Sequence, residues 1–173
     1  NLFTSSNKAI LGGQWNNNSY IYDLDGSISY FLNANHVMTA SEIKAITEKE
    51  LYRISLPPAD YANDYFPPYF PVKEDLTNLY YLDTLDGNNT VGDYTGSNDG
   101  NKGGTTKPSS IVLPDGRRGL RFSGGNGDTQ GNYNRVEFTM NSDWQYTATD
   151  EFTFCMWFRS SKSDANQHVL VNI

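Results

Sequence analysis

Residues 25–46 read DGSISYFLNANHVMTASEIKAI, a strand signal running straight into a helix signal. Within SISYFLNA the residues alternate, which places Ile28, Tyr30 and Leu32 on one face of a strand and Ser27, Ser29 and Phe31 on the other. Thr39 is a good N-cap, and Glu42 stands three residues later. That is the spacing of a capping box, in which each side chain satisfies the other residue's backbone donor. Met38, just before the cap, is expected to staple onto Ile43, and Ile43 with Ile46 supplies a single apolar stripe. Such a helix is short and lies on a surface. It closes a domain and does no chemistry.

Composition agrees with strands on either side of that helix. Apolar residues make up 37% and charged residues 19%, so much of the remainder is Asn, Gly, Ser and Thr. Tyr supplies 12 of the aromatics, beside 9 Phe and 3 Trp. This mixture favours strands joined by polar loops. A length of 173 residues suits one domain or parts of two. The net charge of −7 argues against a nucleic-acid partner, because phosphate backbones are held by Lys and Arg. No apolar run has the length of a membrane span, so no membrane insertion is expected. The single Cys155 excludes an internal disulfide, and its place in an apolar strand predicts a buried, inert thiol. A start at Asn1 without Met suggests a processed chain or a fragment.

Upstream, AILGGQW (9–15) reads as a short strand broken by a Gly pair, and NNNSYIYDLDG (16–26) as a polar loop ending in a turn. Downstream, residues 53–75 hold five of the 7 prolines, interleaved with Tyr61, Tyr65, Phe66, Tyr69 and Phe70. Proline removes donors and stiffens the chain, so neither helix nor central strand is expected there. Five aromatics in one extended arm should pack on a flanking domain or a neighbouring subunit, as an assembly arm. From Leu76 strand patterns resume with LTNLYYLD (76–83), then a long polar loop over 84–108. GLRFS (119–123), NRVEFTM (134–140), EFTFCMWFR (151–159) and HVLVNI (168–173) follow. In 152–158 both faces are apolar, which predicts a strand central to a packed sandwich with Trp157 in its core. The expected fold is all-β: an antiparallel β-sandwich or jelly roll with one short closing helix.

The second half resembles the opening of a laminin-G-like, concanavalin A-like jelly-roll domain. The residues that carry the resemblance are Tyr81-Leu82-Asp83, Asp93-Tyr94-Thr95-Gly96, Asn98-Asp99-Gly100, Gly119-Leu120-Arg121-Phe122-Ser123-Gly124 and Phe152 to Arg159. The first half resembles the end of the same fold, through Gly12-Gly13, Gly26-Ser27-Ile28 and Met38-Thr39-Ala40-Ser41-Glu42-Ile43. Acidic residues often follow the Ile of that strand in the family. Here the positions are Ser29 and Tyr30, so no ligand role is carried over. The resemblance divides the chain into residues 1–52, the C-terminal portion of one sandwich, an arm over 53–75, and residues 76–173, the N-terminal portion of another. An ending therefore precedes a beginning. The chain is then a segment of an array of such domains, a circular permutant, or a subunit completed by its neighbour, with the array favoured.

The Asp- and Asn-rich loop suggests calcium, which takes oxygens from carboxylates, amides and backbone carbonyls. Asp83, Asp93 and Asp99 are the candidate ligands, and laminin-G-like domains often hold calcium at such a rim. Turn formation by the same residues is the plainer account. Trp144, Tyr146 and Trp15 are candidates for stacking on sugar rings, against partial burial under a loop. A glycoside hydrolase is the least favoured reading. Its paired carboxylates must flank the scissile bond, whereas Asp150 and Glu151 are adjacent and a strand would point them to opposite faces. The expectation is a non-enzymatic adhesion or structural module at an extracellular, cell or virion surface. Its partners would be a glycan, a surface protein, or further copies of itself in a fibre, tail or filament assembled head to tail.

Overall fold

The computed structural model describes residues 8–16, 19–21, 24–54, 76–95, 98–112, 118–123, 134–139, 141–161 and 170–172. In chain order its elements begin with β1 (Lys8–Leu11), β2 (Gln14–Asn16), β3 (Ser19–Ile21), β4 (Asp25–Ala34), helix α1 (Ala40–Ile54) and β5 (Leu76–Tyr80). They continue with β6 (Thr90–Val91), β7 (Gly100–Gly103), β8 (Ser109–Val112), β9 (Arg118–Ser123) and β10 (Arg135–Thr139). A 3-10 turn at Ser142–Trp144, β11 (Thr153–Ser160) and β12 (Val171–Asn172) complete them.

Two antiparallel sheets form an all-β sandwich. One has the order β12-β1-β10-β7-β6, the other β11-β4-β9-β8, with β5 also on β4. Strands β2 and β3 make a small separate hairpin, where the sequence pattern suggests a loop. Both large sheets mix strands from the two ends of the chain. β1 lies between β10 and β12, and β4 lies between β11 on one side and β9 and β5 on the other. Residues 25–34 are thus the seam of one sheet, and their strand neighbours among the described residues all come from Leu76 onward.

The core between the sheets gathers Leu11, Val136 and Phe138 from one and Ile28, Phe31, Leu120 and Phe122 from the other, with Trp144 between them. Phe31 is its hub, with ring centroids of Trp144 at 5.9 Å, Phe154 at 5.8 Å and Tyr80 at 6.1 Å. Simple alternation along β4 fails at one point. Trp157 pairs with Tyr30 but Phe158 pairs with Ile28, so Ser29 is the extra residue of a β-bulge. The bulge shifts the phase by one. Ile28 and Phe31 therefore share the inner face, while Tyr30, Leu32 and Ala34 lie in a second cluster with Met38 and Ile46. Gly119 faces the bulge. A Cβ there would stand 2.7 Å from the Ile28 carbonyl oxygen and 3.0 Å from Ser29 Cα, so only glycine lets the two strands approach.

Helix α1 begins with the capping box expected from the sequence. The Thr39 amide donates to Glu42 Oε2 at 2.6 Å, and the Glu42 amide donates to Thr39 Oγ1 at 3.3 Å. The Thr39 amide, and after it the Thr39 hydroxyl donating to Glu42 Oε2 at 2.7 Å, hold the Glu42 carboxyl below the ordinary glutamate value. The Thr153 hydroxyl of β11 then fastens the turn before the helix, accepting from the Met38 amide at 3.0 Å and donating to the His36 carbonyl at 2.8 Å. The staple forms differently from the expectation. Met38 is buried in one cluster with Ile46, and Ile43 stays 44% exposed.

Strand β11 is also placed differently. It pairs with β4 alone among the described residues and ends its sheet, so it is an edge strand and not a central one. Its second half is exposed, with Trp157 at 41% and Phe158 at 52% exposure, so Trp157 is not a core residue. Two apolar faces are compatible with an edge as well as with a centre, because periodicity reports faces and not neighbours. Cys155 is half-buried, and burial pushes its thiol up. The assembly-arm residues Tyr61, Tyr65, Phe66, Tyr69 and Phe70 lie outside the described residues.

Candidate functional site

At one end of the sandwich the segment 141–151 folds over the opening between the sheets. Its side chains alternate inward and outward. Trp144 and Tyr146 are buried, while Gln145 and Thr147 are exposed. Trp144 anchors the segment by stacking on Phe31 and on Phe138, with centroids 5.9 and 5.6 Å apart. The turn that follows closes on itself. The Thr147 amide donates to Asp150 Oδ2 at 2.6 Å, and the Asp150 amide to the Thr147 carbonyl at 3.2 Å.

Tyr146 supplies the second anchor and starts a buried polar chain. Its hydroxyl donates to Asn33 Oδ1, Asn33 Nδ2 donates to Asn78 Oδ1 at 3.3 Å, and Asn78 Nδ2 donates to Asp93 Oδ2 at 2.9 Å. Asp93 Oδ1 accepts from the amides of Leu79 and Thr95, each at 3.0 Å, and from the Thr95 hydroxyl at 2.8 Å. The Asp93 amide in turn donates to Asp99 Oδ1 at 2.8 Å. Asn33 and Asn78 face each other across β4 and β5 and are fully buried. Buried polar groups persist only when bonded, and this chain bonds them across two strands and two loops.

Above the Tyr146 floor lies a cleft of about 450 Å³, lined by Asn35 after β4, Thr77 of β5, and Ser142, Gln145, Thr149, Asp150 and Glu151 of the covering segment. Asp150 and Glu151 both line it, and both precede β11 and do not belong to it. The alternating-strand geometry expected for them does not apply. A second, apolar groove of about 490 Å³ runs between α1 and β11, lined by Ile43, Ile46, Cys155 and Trp157 among others.

The residues singled out from the sequence fall into place as follows. Trp144 is a core residue with no accessible ring, so it cannot stack on a sugar. Tyr146 borders the cleft but is 6% exposed and its hydroxyl is committed to Asn33, so it is a floor and not a platform. Trp15 lies in β2, paired with Tyr20, and its side chain is outside the described set. Asp93 and Asp99 meet, but through an amide-to-carboxylate bond, and the Asp93 oxygens are occupied by N–H and O–H donors. Asp83 is half-buried after β5. Among the described residues no group of three or more His, Cys, Asp or Glu side chains is placed to hold a metal ion. Sequence reading passes over Asn33, Asn35, Asn78 and Gln145. The available signal was an amide in the middle of two otherwise apolar strands, FLNA and LTNLYY, where only a bonded pair is tolerated.

Fold and cleft together define the class: a two-sheet antiparallel β-sandwich with one flanking helix and a polar cleft at one end. No known family's model matches the chain, and no curated protein and no solved structure matches it.

Proposed function

We propose that this chain is a non-enzymatic, laminin-G-like jelly-roll module of an extracellular, cell-surface or virion-surface protein, and that it binds glycan in the cleft beside Gln145 and Thr149. The observation that carries this reading is the cleft. Amide, hydroxyl and carboxylate side chains converge there from three chain segments over a buried, hydrogen-bonded floor. Sugar hydroxyls donate and accept, and this set of side chains offers both. A non-hydrolytic role is supported by the two acids of the described lining being adjacent in the chain, Asp150 and Glu151, whereas hydrolysis needs carboxyls on both sides of the bond.

A glycan array followed by calorimetry tests the reading. Gln145 and Thr149 are exposed, so alanine at both leaves the fold intact. Losing two hydrogen bonds at about 1 kcal/mol each weakens Kd roughly thirtyfold, and the bound oligosaccharide is recovered uncut. Absence of any retained glycan refutes the reading. A purely architectural subunit is the second reading, favoured by the edge position of β11 and the 52% exposure of Phe158. Its mark is concentration-dependent self-association in sedimentation with no glycan bound.

A further inference from the structure

The cleft also carries a charge preference, which rests on the glycan reading above. Of its lining residues among those described, Asp150 and Glu151 are ionisable acids and none is Lys, Arg or His. Asp150 and Glu151 are both exposed, as are the amide residues Asn35 and Gln145, so a ligand in the cleft meets acids and amides together. The Asp150 carboxylate accepts the Thr147 amide at 2.6 Å, which holds it in place beside the cleft. The chain as a whole carries −7, so the far field has the same sign as the cleft.

We propose that the cleft selects a neutral or amine-bearing saccharide and rejects sulfated, sialylated or uronic-acid glycans. An anionic group brought into the cleft meets no cation among the described lining residues, and it loses water against two like charges. A protonated amine on the sugar, as in a de-N-acetylated amino sugar, meets two acceptors of opposite charge. A neutral hydroxyl finds the amides and hydroxyls without either effect.

With a ligand charge about 7 Å from each carboxylate in water, the two interactions together change affinity by roughly fivefold to tenfold at low salt. Screening at physiological ionic strength reduces this to about twofold or threefold.

The probes are oligosaccharides of one backbone and length in three forms: glucosamine oligomers, their N-acetylated counterparts, and a sulfated derivative. Calorimetry at low and at physiological salt should rank them amine, then N-acetyl, then sulfate. In Asp150→Asn/Glu151→Gln the ranking should collapse to within about twofold, while the neutral form keeps its affinity. Asparagine at 150 still offers an oxygen to the Thr147 amide, so the turn survives. Equal or tighter binding of the sulfated form by the unaltered chain overturns the charge preference and leaves the glycan reading standing. A ranking that persists in the double variant overturns the assignment to these two residues. If none of the three binds and a broad glycan array is blank, the glycan reading and this one fall together.

Discussion

The β-bulge at Ser29 can be tested through the glycine that faces it. In Gly119→Ala the new Cβ would sit 2.7 Å from the Ile28 carbonyl oxygen, 3.0 Å from Ser29 Cα and 3.1 Å from Ser29 Cβ. Ordinary contact needs about 3.4 Å or more, so β4 or β9 must move by roughly 0.7 Å. Neither is free to do so. The obstructing atoms are mainly backbone, and β4 is bonded to β11 on its other side across the same residues. Overpacking against backbone places the cost near the top of the usual range, about 2–3 kcal/mol. For a domain of this size that lowers Tm by roughly 5–10 °C. Gly13→Ala is the matched control, since its Cβ would meet nothing within 4 Å. It should be neutral or stabilising by up to about 1 kcal/mol through the unfolded chain. Urea denaturation followed by fluorescence measures both variants under one set of conditions, and the slope must be unchanged for the comparison to hold. Equal midpoints for the two variants would refute the close approach of β9 to the bulge, and with it the account of why Ile28 and Phe31 share a face.

Two further outcomes follow from local geometry. Tyr146→Phe keeps the ring contact with Phe152 at 4.5 Å but deletes the hydrogen bond to buried Asn33, and should cost about 1–2 kcal/mol in urea denaturation. A midpoint within about 0.3 kcal/mol of the parent would show that the floor of the cleft is not held by that bond. The Glu42 carboxyl, lowered first by the Thr39 amide and then by the Thr39 hydroxyl, contributes stability present above its unfolded value and lost as pH falls through the folded one. Below about pH 4.3 the parent should therefore lose stability more steeply than Glu42→Gln, which can keep a neutral capping box. Parallel acid limbs in thermal unfolding would contradict this.

What was legible in the sequence is what is decided locally. The capping box at Thr39 and Glu42 needs only four residues in order, and it forms as expected. The strand patterns at 119–123, 134–140 and 151–159 likewise match β9, β10 and β11, because period-two alternation is written into each segment. The short strands β6, β7 and β8 were hidden in stretches dominated by Asn, Gly and Ser, residues that make turns more often than ladders. The bulge could not be seen at all. Its cause is the unequal register of β4 against β11 over a hundred residues away, and SISYFLNA alternates perfectly well without it.

The cleft shows the same division between local and long-range causes. Asn35, Ser142, Gln145 and Thr149 have the composition of any polar turn, so their type carries no sign of a site. They become one only because Trp144 is drawn into the aromatic core and Tyr146 onto Asn33, which fixes the segment 141–151 beside Asn35 over the open end of the sandwich. The aromatic residues that looked like ligand-binding groups are therefore the fasteners, and the polar residues beside them form the surface that is presented. That inversion has a physical origin. A Trp ring stacked among Phe rings gains burial plus about 0.5–1.5 kcal/mol per favourable ring pair, whereas the same ring in water gains neither. A loop containing two aromatics and several hydroxyls will bury the former and expose the latter whenever a core is within reach. In this chain that core is completed only when β4, read first as an ending, takes its place between β11 and β9.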